Sequence, residues 1–187
     1  MMELDGLIFV TSNLGKLREA EAVLGRPLAH QGLDLPELQS LDLHEVLRAK
    51  LRAGWRALGR PVMVEDTGLE LAALGGFPGP LIRWMLESVG PVGIARIAGC
   101  FDDRRVTARC LVGVTDGSVE LFGEGVVEGT AASQPRGEGG FGWDSIFIPD
   151  GCDRSYGEMT AEEKNRISHR RLAFESLRNA LHEADRT

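Results

Sequence analysis

"RRVTARCLVGVTDGSVELFGEGVVEG", residues 104–129, is the stretch that decides the fold. Two runs with strand character, RRVTARCLVGV and SVELFGEGVVEG, flank TDGS at 115–118. An Asp-Gly pair between two such runs is a hairpin signal, because a tight turn between twisted strands needs positive φ. The stretch reads as two antiparallel strands. What precedes it has a different rhythm. LIFV, residues 7–10, is a short buried strand; a polar TSN follows, then LGKLREAEAVLG, with Leu14, Leu17, Val23 and Leu24 at helical spacing before Gly25 and Pro27. Residues 28–39 read as an extended linker. DLHEVLRAKLRAGWRALG (42–59) is a second amphipathic helix, with Leu43, Val46, Leu47, Leu51, Trp55 and Leu58 on one face. PVMVEDTG (61–68) is a strand running into acidic residues, GGFPGP (75–80) a rigid loop, and LIRWMLESVG and PVGIARIAG two short helices. After the hairpin come a further strand, SIFIP (145–149), and a long helix expected from about Thr160 to His182. Early strand–helix units favour parallel pairing and the hairpin adds antiparallel strands. The expected fold is therefore α/β, a mixed sheet flanked by helices, in one domain over residues 1–187.

Composition narrows the function classes. With 187 residues and 43% hydrophobic content, the chain can build a core without covalent staples. Its net charge of −7 lacks the basic footprint of a nucleic-acid binder. Cys100, Cys110 and Cys152 show no CxxC spacing, so neither a disulfide framework nor a zinc site is expected; buried or inert thiols in a reducing compartment are. The N-terminal MMELDG is acidic and the apolar run after it is too short for a signal peptide or a membrane span, so a cytoplasmic location and no membrane partner are expected.

Four constellations could carry chemistry. In TSNLGK, Thr11, Ser12, Asn13 and Lys16 lie between a strand and a helix, where free N–H groups and a cation suit phosphate, although Ser and Asn there are also ordinary caps. In EDTG, Glu65 and Asp66 end an apolar strand, where open α/β sheets place ligands. Adjacent strand residues point to opposite faces, so only one of these carboxylates is expected to face a given site. A carboxylate there can hold Mg²⁺ or take a proton from water, and it can equally close a turn. Glu37, read locally, is an ordinary exposed acid. In GFGWD, Phe141 or Trp143 can stack on a flat ring, worth ~1–3 kcal/mol per base, and Asp144 can accept from a ring N–H, with Gly142 and its neighbours leaving room. A core aromatic pair is the competing reading. In EEKNRISHRR, Lys164, Ser168 and Arg171 share a helix face beside Asn165, His169 and Arg170, a polar stripe that interrupts an apolar pattern.

Taken in order, TSNLGKLREAEAVLG, DLPELQ, VEDTGLELAALGGFPGPLIRWML, GFGWDSIFIPDG and EMTAEEKNRISHRRLA resemble the Ham1-like inosine triphosphate pyrophosphatase family over essentially the whole length. That resemblance implies a homodimer whose long mixed sheet floors a cleft between two lobes. It implies hydrolysis of ITP, dITP and XTP to the monophosphate and pyrophosphate; a nucleotide sensor without hydrolysis, or a pyrophosphatase for another nucleotide, is the alternative. By position, it gives triphosphate contacts to Thr11 through Lys16 and to Lys50, a phosphate-side or base-side cation to Lys164, and substrate contact to Thr67. Mg²⁺ falls to Glu37 and Asp66, with Asp66 also the acceptor of the water proton. Phe141, Gly142, Trp143 and Asp144 line the base pocket, the two aromatics sandwiching the purine, opposite Ser168, His169 and Arg170. An acceptor at N1, Asp144, with a donor at O6 (Arg170, His169 or a backbone N–H) would reject adenine, which presents the opposite pattern. Ser145, where most members have Pro, and Gly157, where many have Ala, are expected to be peripheral.

Overall fold

The computed structural model describes residues 6–184 and 186; the acidic start at Met1 to Asp5 lies outside the described residues. Its elements, in chain order, are β1 (Ile8–Val10), α1 (Leu14–Leu24), β2 (His30–Gln31), α2 (Leu43–Leu58), β3 (Val62–Leu71), β4 (Pro78–Gly79), α3 (Ile82–Gly99), β5 (Arg105–Thr115), β6 (Glu120–Ala131), β7 (Phe147–Pro149), α4 (Ala161–Ile167) and α5 (His169–Ala184). The strands form one sheet ordered β2-β1-β3-β5-β6-β7, with β4 added to β3. β2, β1 and β3 run parallel, and β3, β5, β6 and β7 antiparallel, as the two rhythms of the sequence require.

The long hairpin β5–β6 is shared by three apolar clusters. At one end of the sheet, α2 covers one face with Leu47 and Leu51 on Val62, Val64 and Leu111, while α1 and α5 cover the other with Leu17 and Phe174 on Met63, Cys110 and Val112. At the far end, α3 and the segments around β7 pack Ile82, Ile94, Trp143, Phe147 and Tyr156 on Leu69, Leu71, Val106 and Ala108. The cavity described below opens between these ends.

Register explains where it opens. β1 pairs with β3 at Val62 and Met63 only, and β4 rejoins that edge at Leu69 and Glu70. Between them the edge of β3 has no neighbouring strand, while its other edge stays paired, with Asp66 opposite Leu111. EDTG is therefore not a turn but the middle of a ten-residue strand.

Two expectations change and one stands. The helix placed from Thr160 to His182 is two helices, broken where Ser168 is extended (φ −77°, ψ 149°). The Ser168 hydroxyl accepts the Arg171 N–H, so this serine acts as a helix cap rather than continuing the turn. Gly90, between the two segments of α3, is non-helical, which preserves the pair of short helices read there. Of the cysteines, only Cys110 is buried; Cys100 is exposed and Cys152 intermediate, all three unpaired. None of the described helices is long and apolar enough to cross a membrane.

One close approach fixes α5. A Cβ on Gly123 would lie 2.2 Å from Leu177 N, and one on Gly125 2.0 Å from the His169 carbonyl oxygen. Only hydrogen at these positions lets the backbone of α5 rest directly on β6.

Candidate active site

A cavity of about 1030 Å³ lies beside the unpaired stretch of β3 and takes in the loop after β1, the segment before α2, the first turns of α3, the loop before β7, and the α4–α5 break. Thr11, Ser12, Asn13, Lys16, Glu37, Lys50, Asp66, Thr67, Phe141 through Asp144, Lys164, His169 and Arg170 all line it. Ser168 does not; it is buried with its hydroxyl committed as the cap of α5.

At the β1–α1 end, the capping reading of TSN holds. Asn13 caps α1, its Oδ1 accepting from Gly15 N at 2.9 Å and Lys16 N at 3.1 Å, and Thr11 Oγ1 accepts the Asn13 N–H at 3.1 Å. Lys16 reaches over the open edge of β3. Its Nζ lies 3.3 Å from Glu65 Oε1 and 3.7 Å from Asp66 Oδ1. From α2, Lys50 Nζ donates to the Glu65 carbonyl at 3.3 Å and lies 3.7 Å from Asp66 Oδ2. Glu65 and Asp66 do leave opposite faces of the strand. Because no strand covers that edge, the cavity wraps round it and takes in both, which corrects the expectation of a single site-facing carboxylate.

Glu65 continues a chain of alternating charges. Arg170 Nε donates to Glu65 Oε2 at 2.7 Å and its Nη2 to Oε1 at 3.0 Å, while Nη1 meets Glu19 Oε2. Glu19 Oε1 accepts from Lys164 Nζ at 2.7 Å, and Lys164 Nζ also donates to Asp144 Oδ2 at 2.6 Å. The ladder runs Lys50, Asp66, Lys16, Glu65, Arg170, Glu19, Lys164, Asp144 across the cavity. Burial would raise the Glu65 pKa, but Arg170 and Lys16 outweigh it and hold the carboxyl far below its usual range. Burial would likewise lower Lys16, yet Glu65 and Asp66 leave its ammonium above its ordinary value. For Asp144 burial wins over Lys164, and its pKa is raised.

The base-side residues are more occupied than their sequence suggested. Arg170, expected to face a purine O6, has its guanidinium divided between two carboxylates. Asp144 Oδ2 takes the Phe141 N–H at 2.7 Å as well as Lys164. Trp143 is 6% exposed and stands edge-on to Phe147, with centroids 5.6 Å apart, so it realises the core-aromatic reading while still touching the cavity. Phe141 is half-buried, with Lys164 Nζ 4.8 Å and Arg170 Cζ 5.6 Å from its ring centroid. His169 is buried with neither ring nitrogen hydrogen-bonded. Burial, then Arg170 and Lys164, push its pKa well below the usual value, so the imidazole is neutral.

Two residues escaped the sequence reading. Glu19 bridges the base-side cations from α1; its spacing from Lys16 places it on the same side of that helix, but nothing local marks it as buried. Arg83, on α3, pairs with Glu37 at 3.3 Å and Glu87 at 2.8 Å at the cavity wall. The two departures, Ser145 and Gly157, prove to be neighbours. A Cβ on Gly157 would lie 2.8 Å from Ser145 Cα, and the Gly157 carbonyl accepts the Gly139 N–H at 2.8 Å, so both brace the loop that carries Phe141 and Asp144.

A loose cation–carboxylate cluster at one end and aromatic and amphoteric groups at the other suit a ligand with an anionic tail and a flat polar ring. Comparison with known proteins agrees. Inosine triphosphate pyrophosphatase 2 of Trypanosoma cruzi is 46% identical over 173 residues, covering 90% of this chain and 88% of that one. A dITP/XTP pyrophosphatase of Methanopyrus kandleri is 40% identical over 90% of this chain and 92% of its own. The structure of a HAM1 protein from Coxiella burnetii superposes with a TM-score of 0.78 at 27% identity, covering 98% and 100% of the two chains. The family profile described as Ham1 family matches residues 7–180, and the chain belongs to the Ham1 family.

Proposed function

We propose that this chain hydrolyses non-canonical purine nucleoside triphosphates, ITP, dITP and XTP, to the nucleoside monophosphate and pyrophosphate. The observation that carries the reading is the charge ladder, with one end loosely paired beside Asp66 and the other closed around Phe141 and His169.

Lys16, shared between the Glu65 and Asp66 carboxylates at 3.3 and 3.7 Å, and Lys50, between the Glu65 carbonyl at 3.3 Å and Asp66 at 3.7 Å, exchange these partners for phosphate oxygens. Asp66 and Glu37 are the residues that would hold Mg²⁺. Both offer carboxylate oxygens to the cavity, which suits an ion that takes one or two carboxylates and completes its shell with phosphate and water. The Glu37–Arg83 pair is exposed, so its net energy is small and the carboxylate can change partner. Bound there, the ion neutralises phosphate charge. Asp66 accepts the proton of the water that adds at the α-phosphorus, and the α–β bridging oxygen leaves with pyrophosphate.

Phe141 stacks on the purine. With Arg170 committed to Glu65 and Glu19, the donor to O6 is His169, whose neutral ring has one N–H and no other partner. Asp144 Oδ1 accepts N1–H, since Oδ2 already takes Lys164 and Phe141 N. Adenine would leave both groups unpaired.

The unpaired cysteines support a reducing, cytoplasmic setting, and the family resemblance supports a homodimer, with Phe77, Trp84, Val89 and Val92 as exposed apolar surface on and before α3. Light scattering of the purified chain tests the dimer. The activity is tested by pyrophosphate release with Mg²⁺ from ITP, XTP, ATP and GTP at equal concentration. Rapid release from ITP and XTP, with ATP and GTP slow, is expected; release from ATP as fast as from ITP would remove the base reading.

A further inference from the structure

Lys164 lies on α4, while His169 and Arg170 open α5, so the base-side groups come from two helices joined by one extended residue. Something must fix the angle of that joint. Ser168 satisfies the start of α5, but the end of α4 is met from outside: the Tyr156 hydroxyl donates to the carbonyl of Ile167, the last residue of α4, at 3.4 Å.

The same tyrosine touches the base-side groups with its ring. The ring is near-parallel to the His169 imidazole, at 19° with centroids 6.1 Å apart, and Trp143 lies on the imidazole at 5.2 Å and 35°. The His169 ring thus has no hydrogen bond among the described residues to orient it and is held by two rings. Lys164 Nζ stands 5.5 Å from the Tyr156 ring centroid. Tyr156 is fully buried, packed on Phe147 at 5.0 Å, and is not among the residues lining the cavity. It is carried in a short helical turn pinned by a reciprocal pair: the Ser155 N–H donates to Glu158 Oε2 at 2.8 Å and the Glu158 N–H donates back to the Ser155 carbonyl at 3.0 Å.

The geometry points to Tyr156 as a positioning residue for the base end of the cavity: it holds the α4–α5 joint through the Ile167 carbonyl and sets His169 and Lys164 by ring contact, without touching the ligand. The inference rests on the proposed base recognition. Its consequence is selective. Lys16, Lys50 and Asp66 have no contact with Tyr156, so loss of its hydroxyl weakens purine discrimination and leaves affinity for the phosphate tail unchanged.

The test is calorimetric titration of the intact chain and Tyr156→Phe, with Mg²⁺, using the uncleavable α,β-methylene analogues of ITP and ATP, and tripolyphosphate. Loss of this long contact sits at the weak end of hydrogen-bond energies and predicts an ITP-analogue Kd about threefold higher in the variant, with the ATP analogue and tripolyphosphate unchanged. Tyr156→Leu, which removes the ring as well, extends the loss if it folds; Tyr156→Phe decides the matter if it does not. Three unchanged affinities beside a lowered melting temperature would make Tyr156 a core residue only and overturn the inference. Equal weakening of all three ligands would overturn it as well, since the effect would not belong to the base end. A wild-type protein that does not prefer the ITP analogue removes the base reading and this inference together. A wild type that prefers it, with an equally selective variant, removes this inference alone.

Discussion

The two ends of the charge ladder are built from the same kinds of side chain and behave differently. At the end proposed for phosphate, the ion pairs of Lys16 and Lys50 with Glu65 and Asp66 span 3.3–3.7 Å, and the Lys16, Lys50 and Asp66 side chains are 14–19% exposed. At the base end, Lys164, Asp144 and Arg170 make bonds of 2.6–2.7 Å, and their side chains are 2–4% exposed. Longer, wetter pairs are weak and exchange partners readily, whereas short buried ones are rigid and costly to break. In the proposed reaction, the end that must change partners, with charge arriving and leaving, is the loose one. The end that must discriminate is already fixed, and ligand binding has little to reorganise there.

This contrast can be broken in stages. Asp66→Asn keeps the size of the side chain at the loose end but removes a charge that the proposed chemistry uses. Turnover of ITP should fall by about 10²–10⁴-fold while its Kd stays within a few-fold and the melting temperature hardly moves; turnover within tenfold of wild type would take Asp66 out of the proton-accepting role. Glu65→Gln cuts the tight run where it begins and leaves the buried charge of Arg170 one carboxylate short, with Glu19 as its remaining anionic partner. Stability should drop by about 3–5 kcal/mol in urea unfolding, a loss the neighbouring Asp66 variant should not share.

Acid distinguishes the ends next. His169 has a folded pKa depressed below its ordinary 6.5, so below that pH the unfolded chain binds a proton that the folded one refuses. Stability should therefore decline from about pH 6.5 downward by ~1.4 kcal/mol per pH unit. Glu65 adds to the decline only below its ordinary 4.5, because a depressed carboxylate contributes fully above that value and loses its contribution towards the folded one. His169→Phe should flatten the curve between pH 6.5 and 5 without altering the lower limb; an unchanged slope would mean that the imidazole titrates normally. Smallest is Lys50→Met. It should weaken ITP and ATP alike, by roughly tenfold, with their ratio intact; a changed ratio would show that the loose end also reads the base.

The sequence made the sheet legible because its evidence is local: Asp-Gly between two strand-like runs, and apolar residues at helical spacing in α1 and α2. The cavity-lining set was legible as family motifs, but its internal pairing was not. Arg170 looked like a free donor because its acceptors, Glu65 and Glu19, lie 105 and 151 residues away. Trp143 could be read as a stacking platform or as a core aromatic, and the choice was not legible because His169, on a distant helix, closes over it only in the fold. The break at Ser168 had a signal, a serine three residues before the N–H it caps, hidden by an otherwise continuous helical pattern.

Gly123 and Gly125 carry a consequence for how this site can change over generations. A methyl group at position 125 would act as a shim beneath the first turn of α5, tilting His169 and Arg170 away from their settings while leaving every cavity-lining residue unaltered. Two chains identical in every such residue could then differ in which purine they reject. The alignment of the site is kept by two hydrogen atoms on a strand behind it.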